Sequence, residues 1–258
     1  MSDIVRYEIV EDWIAVVTLN RPEKRNAINL EVTQGLSEAV KRSEADEKVR
    51  VVILASSNDQ VFSAGADLKV VSEGGSAGLY TEDGGFAGFI EAKRRKPWIA
   101  AIAGAALAGG MELAIACDMI VAGEESKFGL PEAKRGLLAG AGGVTRLPRM
   151  IPRNIAIELI TTGDPIPAQR AYELGLVNHV TPTGQHLAGA IDLARRISVN
   201  APLAVQRGLA LVGEVAGMTD EQGMRAGDRA ISELKVTEDY AEGPLAFVEK
   251  REPVWKGR

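Results

Sequence analysis

The sequence predicts an α/β core followed by a helical C-terminal region. In the first part of the chain, short β-branched runs alternate with segments of helical period. From about Pro152 onward, amphipathic segments follow one another, separated by Pro and Gly. Apolar residues make up 46% and charged residues 25% of 258 residues, the make-up of an ordinary globular chain rather than a disordered or fibrous one. That length suits one large domain, or one domain with an appendage.

Trp13 to Leu19 is a β-branched run that stops at the turn signal Asn20-Arg21-Pro22. Asn29 can cap a helix through about Glu44, with apolar residues at Leu30, Val32, Leu36, Ala39 and Val40. Val51 to Leu54 is continuously apolar, as a strand covered on both faces would be. Residues 72–88 are rich in Gly and polar residues and read as a long, mobile loop. Glu91 to Lys96 reads as a helix ended by Pro97. Trp98 to Ala103 reads as a second buried strand, the Gly-rich run to Gly110 opens a helix ending near Cys117, and Met119 to Ala122 is a short strand. Helical segments are expected at 153–161, 168–174, 185–199, 202–217, 220–235 and 238–250, the last broken or begun at Pro244. No fixed-period repeat is visible.

Several function classes are excluded early. The net charge of −5 argues against a nucleic-acid-coating surface, though not against a small anion held by local cations. The single cysteine, Cys117, forbids an internal disulfide and a cysteine-only zinc site. His179 and His186 are the only histidines, too few for a histidine-built metal centre. The N-terminus is acidic without an apolar signal core, and the apolar run Trp98–Met111 is too short to span a membrane. A cytoplasmic protein without membrane or nucleic-acid partners is expected. Gly74-Gly-Ser-Ala-Gly78 matches a nucleophile-elbow pattern but lies in a Gly/Ser loop, without the strand and helix an elbow needs.

Two backbone features point to chemistry. Phe62 to Lys69 follows a strand with small residues that let a ligand approach the main chain. Gly104 to Glu112 leaves the strand at 98–103 and opens a helix, whose first N–H groups lack internal acceptors. Either segment alone can be a tight, Gly-rich turn; together, one N–H from each would make an oxyanion hole. Two carboxylates stand out. Glu112 lies in an otherwise apolar helix, so it is paired, exposed near the helix start, or functional. Glu132 follows Phe128-Gly-Leu-Pro131, where a first-turn Glu is also ordinary.

Taken in order, the segments resemble the crotonase, or enoyl-CoA hydratase/isomerase, superfamily across nearly the whole chain. The resemblance is carried by Asn20-Arg-Pro-Glu-Lys-Arg-Asn26-Ala-Ile-Asn29, Phe62-Ser-Ala-Gly-Ala-Asp-Leu-Lys69, Ala108-Gly-Gly-Met-Glu-Leu-Ala114 and Phe128-Gly-Leu-Pro-Glu132. Gly140-Ala-Gly-Gly-Val-Thr-Arg-Leu-Pro148, Gly175-Leu-Val-Asn178 and the tail around Phe247, Lys250 and Trp255 continue it. It implies an α/β fold, a crotonase-type spiral of β-β-α units over residues 1–195 that carries an acyl-CoA site, with a helical oligomerisation region over 196–258. It also implies trimers, often paired into hexamers.

The resemblance assigns the oxyanion N–H groups to Ala66 and Gly109 and the two catalytic acids to Glu112 and Glu132. It further implies substrate contacts from Lys24, Arg25, Ala64, Asp67, Leu68, Phe247 and Lys250. No metal and no cofactor is implied, CoA being carried on the substrate. Because both acids are present, the expected activity is enoyl-CoA hydration, as in fatty-acid metabolism. An isomerase, a hydroxyacyl-CoA dehydratase of carnitinyl type and a non-catalytic acyl-CoA binder are the alternatives. Ala139 stands where many hydratases have Pro, and Lys134-Arg135 places two cations just after Glu132, either on a solvated face or against an anionic group.

Overall fold

The computed structural model describes residues 3–258. β1 (Val5–Glu11) and β2 (Trp13–Leu19) form an antiparallel pair at one edge of a six-stranded sheet. The acidic N-terminus thus supplies a strand that its alternating charge concealed. After α1 (Leu30–Ala45), capped by the Asn29 side chain accepting from the N–H of Val32, comes β3 (Val49–Ser56). It pairs in parallel with β2.

The chain then repeats one move. β3 lies in the large sheet, and β4 (Val61–Ser63), after a short corner, lies in a second sheet, followed by α2 (Leu68–Ser72). Beyond a small hairpin of β5 (Tyr80–Thr81) and β6 (Gly85–Phe86), the move recurs. β7 (Trp98–Ile102) joins the large sheet, β8 (Ala105–Leu107) the second, and α3 (Gly109–Ala116) follows. β9 (Met119–Gly123) and β10 (Lys127–Gly129) do so again. In each sheet these successive strands are parallel neighbours, which makes the chain a spiral of β-β-α turns. Its corners stack tightly. Gly104, at φ +61°, leaves 2.0 Å between the position of a Cβ and the carbonyl oxygen of Gln60. A side chain there would prise the turns apart.

The chain continues through α4 (Gly143–Met150), α5 (Arg153–Thr162), β11 (Ile166–Pro167), α6 (Ala168–Glu173), β12 (His179–Thr181) and α7 (His186–Ser198). β11 closes one edge of the second sheet and β12 the far edge of the large one. The continuous apolar runs are explained by two-sided burial. Val52, Leu54 and Trp98 face the main core with α1, whereas Val51, Ile53 and Ile99 pack against Ala190 and Ala194 of α7. The division expected after residue 195 falls inside α7. α8 (Pro202–Glu214), α9 (Asp220–Leu234) and α10 (Glu238–Glu249) complete the chain. No helix is long and apolar enough to cross a membrane among the described residues.

Three expectations are corrected. Residues 72–88 do not form an open loop: a 3-10 turn over Gly75–Leu79 and the β5–β6 hairpin bury Leu79 and Phe86. Residues 91–96 are not helical. The Glu44 carboxylate takes the N–H groups of Arg95 and Lys96, and the Lys96 ammonium donates to the carbonyls of Ser43 and Asp46 at the end of α1. Those contacts outcompete a helix of two turns. α10 runs unbroken through Pro244, whose missing N–H leaves one carbonyl without its helical donor on an exposed face.

Candidate active site

A cavity of about 510 Å³ opens between the first oxyanion segment, the start of α3 and the turn that follows β10. Its walls hold Ala64, Ala66, Asp67, Leu68, Gly109, Glu112 and Glu132 from the resemblance, together with Arg25. Segments far apart in sequence converge here because every spiral turn ends its second-sheet strand on the same side.

The segment after β4 is fastened to residues 25–28. The N–H of Ala64 donates to the carbonyl of Arg25, that of Ile28 to Gly65, and that of Asp67 to Ile28. These bonds use the groups on either side of Ala66 and leave the Ala66 N–H without an acceptor among the described residues. Gly109 is the first residue of α3, so its N–H has no acceptor within the helix. Gly65 brings the two donors together. It sits at φ +83°, and a Cβ added to it would lie 2.5 Å from the Gly109 nitrogen. Ala108, just before, is held at φ 51° and ψ −128°, strained for a residue with a Cβ. Two unspent N–H groups therefore border one cavity, where they can meet an oxygen that gains negative charge.

Glu112 lies in the first turn of α3, a helix with every residue buried, and is itself 3% exposed. The solvated reading of this carboxylate is thereby excluded. Its Oε1 accepts the N–H of Gly143 at the start of α4, at 2.8 Å. Burial pushes its pKa up to about 7; the Gly143 N–H opposes the shift and the neighbouring Glu132 adds to it. Glu132 comes from a 3-10 turn over Pro131–Arg135 that Gly136 ends in the left-handed region. It is half-buried, and its Oε2 has no partner among the described residues. Burial also raises this carboxyl above the usual range, with Arg135 pulling the other way. Two carboxyls with raised pKa in one cavity suit proton transfer near neutral pH.

The remaining predicted residues divide. Asp67 caps α2, and its carboxylate is held by the Arg21 guanidinium at 2.8 Å, which keeps its pKa below the ordinary value. Its charge is thus spent on the wall rather than offered to a ligand. Leu68 contributes apolar surface. Arg25 reaches the cavity, whereas Lys24 is exposed and does not line it. Phe247 is 85% exposed, and Lys250 ends α10 at φ 55°. Neither borders the cavity of its own chain. Sequence reasoning missed Leu107, Leu137 and Leu138, which line it too, and it expected the 72–88 segment beside the acyl pocket without singling out Tyr80 and Phe86, which are there. Phe86 packs on the oxyanion segment, 2.8 Å from where a Gly109 Cβ would be. An aromatic set among Gly84, Gly85 and Gly88 was its only signal.

Comparison with known proteins bears on this arrangement. The family model described as enoyl-CoA hydratase/isomerase matches residues 10–258. A carnitinyl-CoA dehydratase of Salmonella heidelberg is 40% identical over 254 residues, covering 95% of each chain. Among solved structures, an enoyl-CoA hydratase from Mycobacterium tuberculosis H37Rv superposes with a TM-score of 0.94 at 42% identity, covering all of both chains. A carnitinyl-CoA hydratase from Mycobacterium avium does so with 0.76 at 41%, again over all of both chains. With a match across the chain and a shared fold, the protein belongs to the enoyl-CoA hydratase/isomerase family and has the crotonase-type hydratase architecture.

Proposed function

We propose that this protein is an enoyl-CoA hydratase, adding water reversibly across the 2,3 double bond of a trans-2-enoyl-CoA. One observation carries the reading: Glu112 and Glu132, both with raised pKa, share a cavity with the unspent N–H groups of Ala66 and Gly109. The thioester oxygen rests on the two N–H groups. Water sits between the carboxyls; Glu112 takes its proton as the oxygen bonds to the β-carbon. The electrons of the double bond move toward the thioester oxygen, whose negative charge the N–H pair stabilises. Glu132 then delivers a proton to the α-carbon. The chemistry calls on no cofactor, and CoA travels with the substrate.

The test is to follow the conjugated thioester absorbance of crotonyl-CoA and longer enoyl-CoAs after adding the protein. Loss of absorbance with formation of the 3-hydroxyacyl-CoA is expected, and inactivity on all of them would overturn the reading. Dehydration of a carnitinyl-type hydroxyacyl-CoA is the second reading, favoured by the names of the Salmonella and M. avium relatives. It uses the same four groups in the reverse direction.

For CoA itself, Arg25 and Lys24 are assigned to the phosphates at the cavity mouth, with Phe247 and Lys250 supplied by a neighbouring subunit. Exposed apolar residues on the last three helices, among them Val212, Met224, Ile231 and Val248, support a trimer or hexamer. Light scattering at micromolar concentration tests this, and a monomer would contradict it.

A further inference from the structure

We infer that Arg135 selects the charge of the acyl group, disfavouring a cationic substituent and favouring an anionic one. The inference rests on the acyl-CoA reading of this cavity and adds to it the class of acyl chain.

The charged groups along the cavity are few, and most are accounted for. Asp67 is neutralised by Arg21, and Arg25, the other arginine of the lining, is the one assigned above to the CoA phosphates. Glu112 and Glu132 are the pair proposed to move protons, Glu112 as the base and Glu132 as the acid, and their charges are committed to that exchange. Of the two cations that follow Glu132, Lys134 is bound to Asp164 and turned to that use. Arg135 is different. It lines the cavity and makes no hydrogen bond or ion pair within the protein among the described residues. It lies in the same 3-10 turn as Glu132 and lines the same cavity, so it belongs to the wall that carries the proposed acid. The rest of this wall is apolar or aromatic, including Leu137, Leu138, Tyr80 and Phe86.

Consider an acyl chain with a quaternary ammonium on its γ-carbon. It has a methylene between that charge and the β-carbon where water adds, so the charge must sit close to Glu132. The rings of Tyr80 and Phe86, 5.6 Å apart and edge to face, could receive such a cation. A stable site would also need an ionised carboxylate facing the cation; Glu132 is the carboxyl proposed to arrive protonated, and the other charge on its turn is the Arg135 guanidinium. A carboxylate in the same place would meet Arg135 with the geometry guanidinium favours.

Saturated acyl-CoAs test this through binding alone, since they cannot be hydrated. Calorimetry would compare 4-trimethylammoniobutyryl-CoA, its neutral isostere 5,5-dimethylhexanoyl-CoA, and glutaryl-CoA. The guanidinium is exposed and partly screened, so the neutral thioester should bind about tenfold more tightly than the cationic one. In Arg135→Gln that ratio should fall toward one, and the preference for glutaryl-CoA over the neutral thioester should fall with it. Arg135→Lys, which keeps the charge, should retain most of both. Equal binding of the cationic and neutral thioesters by the wild-type protein would overturn the inference, as would an unchanged ratio in Arg135→Gln. If none of the three binds, both the inference and the acyl-CoA reading fall. If the binding ratios hold but enoyl-CoAs are not hydrated, only the hydratase reading falls.

Discussion

The two walls that carry the glutamates differ in how they hold the same side chain. α3 is buried throughout, and Glu112 reaches from it to a backbone donor at the start of α4. The turn over Pro131–Arg135 is partly open to solvent, and Glu132 keeps one oxygen without a partner. Burial raises both pKa values, and each carboxyl has a backbone N–H opposing the shift, but that of Glu112 comes from the start of another helix, Gly143, and that of Glu132 from its own residue. The difference supports a division of labour: Glu112 accepts a proton, and Glu132, unanchored at one oxygen, arrives protonated and gives one up. Equal chemical identity with unequal support is how one cavity can hold an acid and a base together.

The sharpest way to break this comparison is to neutralise each wall in turn. Glu112→Gln and Glu132→Gln should each lower kcat by about 10²–10⁴-fold while a saturated acyl-CoA still binds. Near-wild-type turnover by either variant on an accepted enoyl-CoA would dissolve the pair. Next comes the floor beneath both walls. Gly65→Ala drives a methyl group into the Gly109 nitrogen and should cost about 10²–10³-fold in kcat by splaying the two donors. A variant that keeps its turnover would show that the apposition of these segments is packing alone.

The walls should also differ in stability. Glu112 has an ordinary value of 4.5 and a folded value of about 7, so the folded protein holds more protons than the unfolded chain between them. The contribution of this group to stability therefore falls as pH climbs through that window, and the cost is complete above it. Glu112→Gln should gain about 1–3 kcal/mol at pH 8 relative to the wild type, and the gain should vanish near pH 4. Denaturant melts at the two pH values would read it, and a gain independent of pH would refute the burial account. The smallest effect is expected far from either wall. Lys250→Ala should raise KM for a CoA thioester several-fold with little change in kcat, but leave KM for a pantetheine thioester alone. Equal changes for both thioesters would mean that Lys250 acts through assembly.

Much of this was legible in the chain. The doubly buried strands announced themselves as unbroken apolar runs, and Asn29 marked the start of α1 where the cap is found. The spiral needed the resemblance, because β4, β8 and β10 are three residues each and their pairing is set by corners such as Gly104 rather than by pattern. Residues 91–96 misled because their period is helical while their hydrogen bonds belong to Glu44 and the end of α1. At the site, motif order named Glu112, Glu132, Ala66 and Gly109, and the fold brings all four to one cavity. It did not name Tyr80, Phe86, Leu137 or Leu138, since a cavity wall requires only that side chains meet in space. The strain at Ala108 left no trace at all, for nothing in an alanine foretells a positive φ.

The buried carboxylate of Glu112 has an evolutionary consequence. A group that is costly to fold persists only while turnover is selected, since most routes to a steadier protein would remove it. Should a descendant of this chain be freed from catalysis yet kept for holding acyl-CoA, position 112 would be among the earliest to drift toward an uncharged residue. The N–H pair of Ala66 and Gly109 is made of backbone and would outlast it. In a set of related chains, the side chain at this position would then separate those still turning over substrate from those that merely carry it.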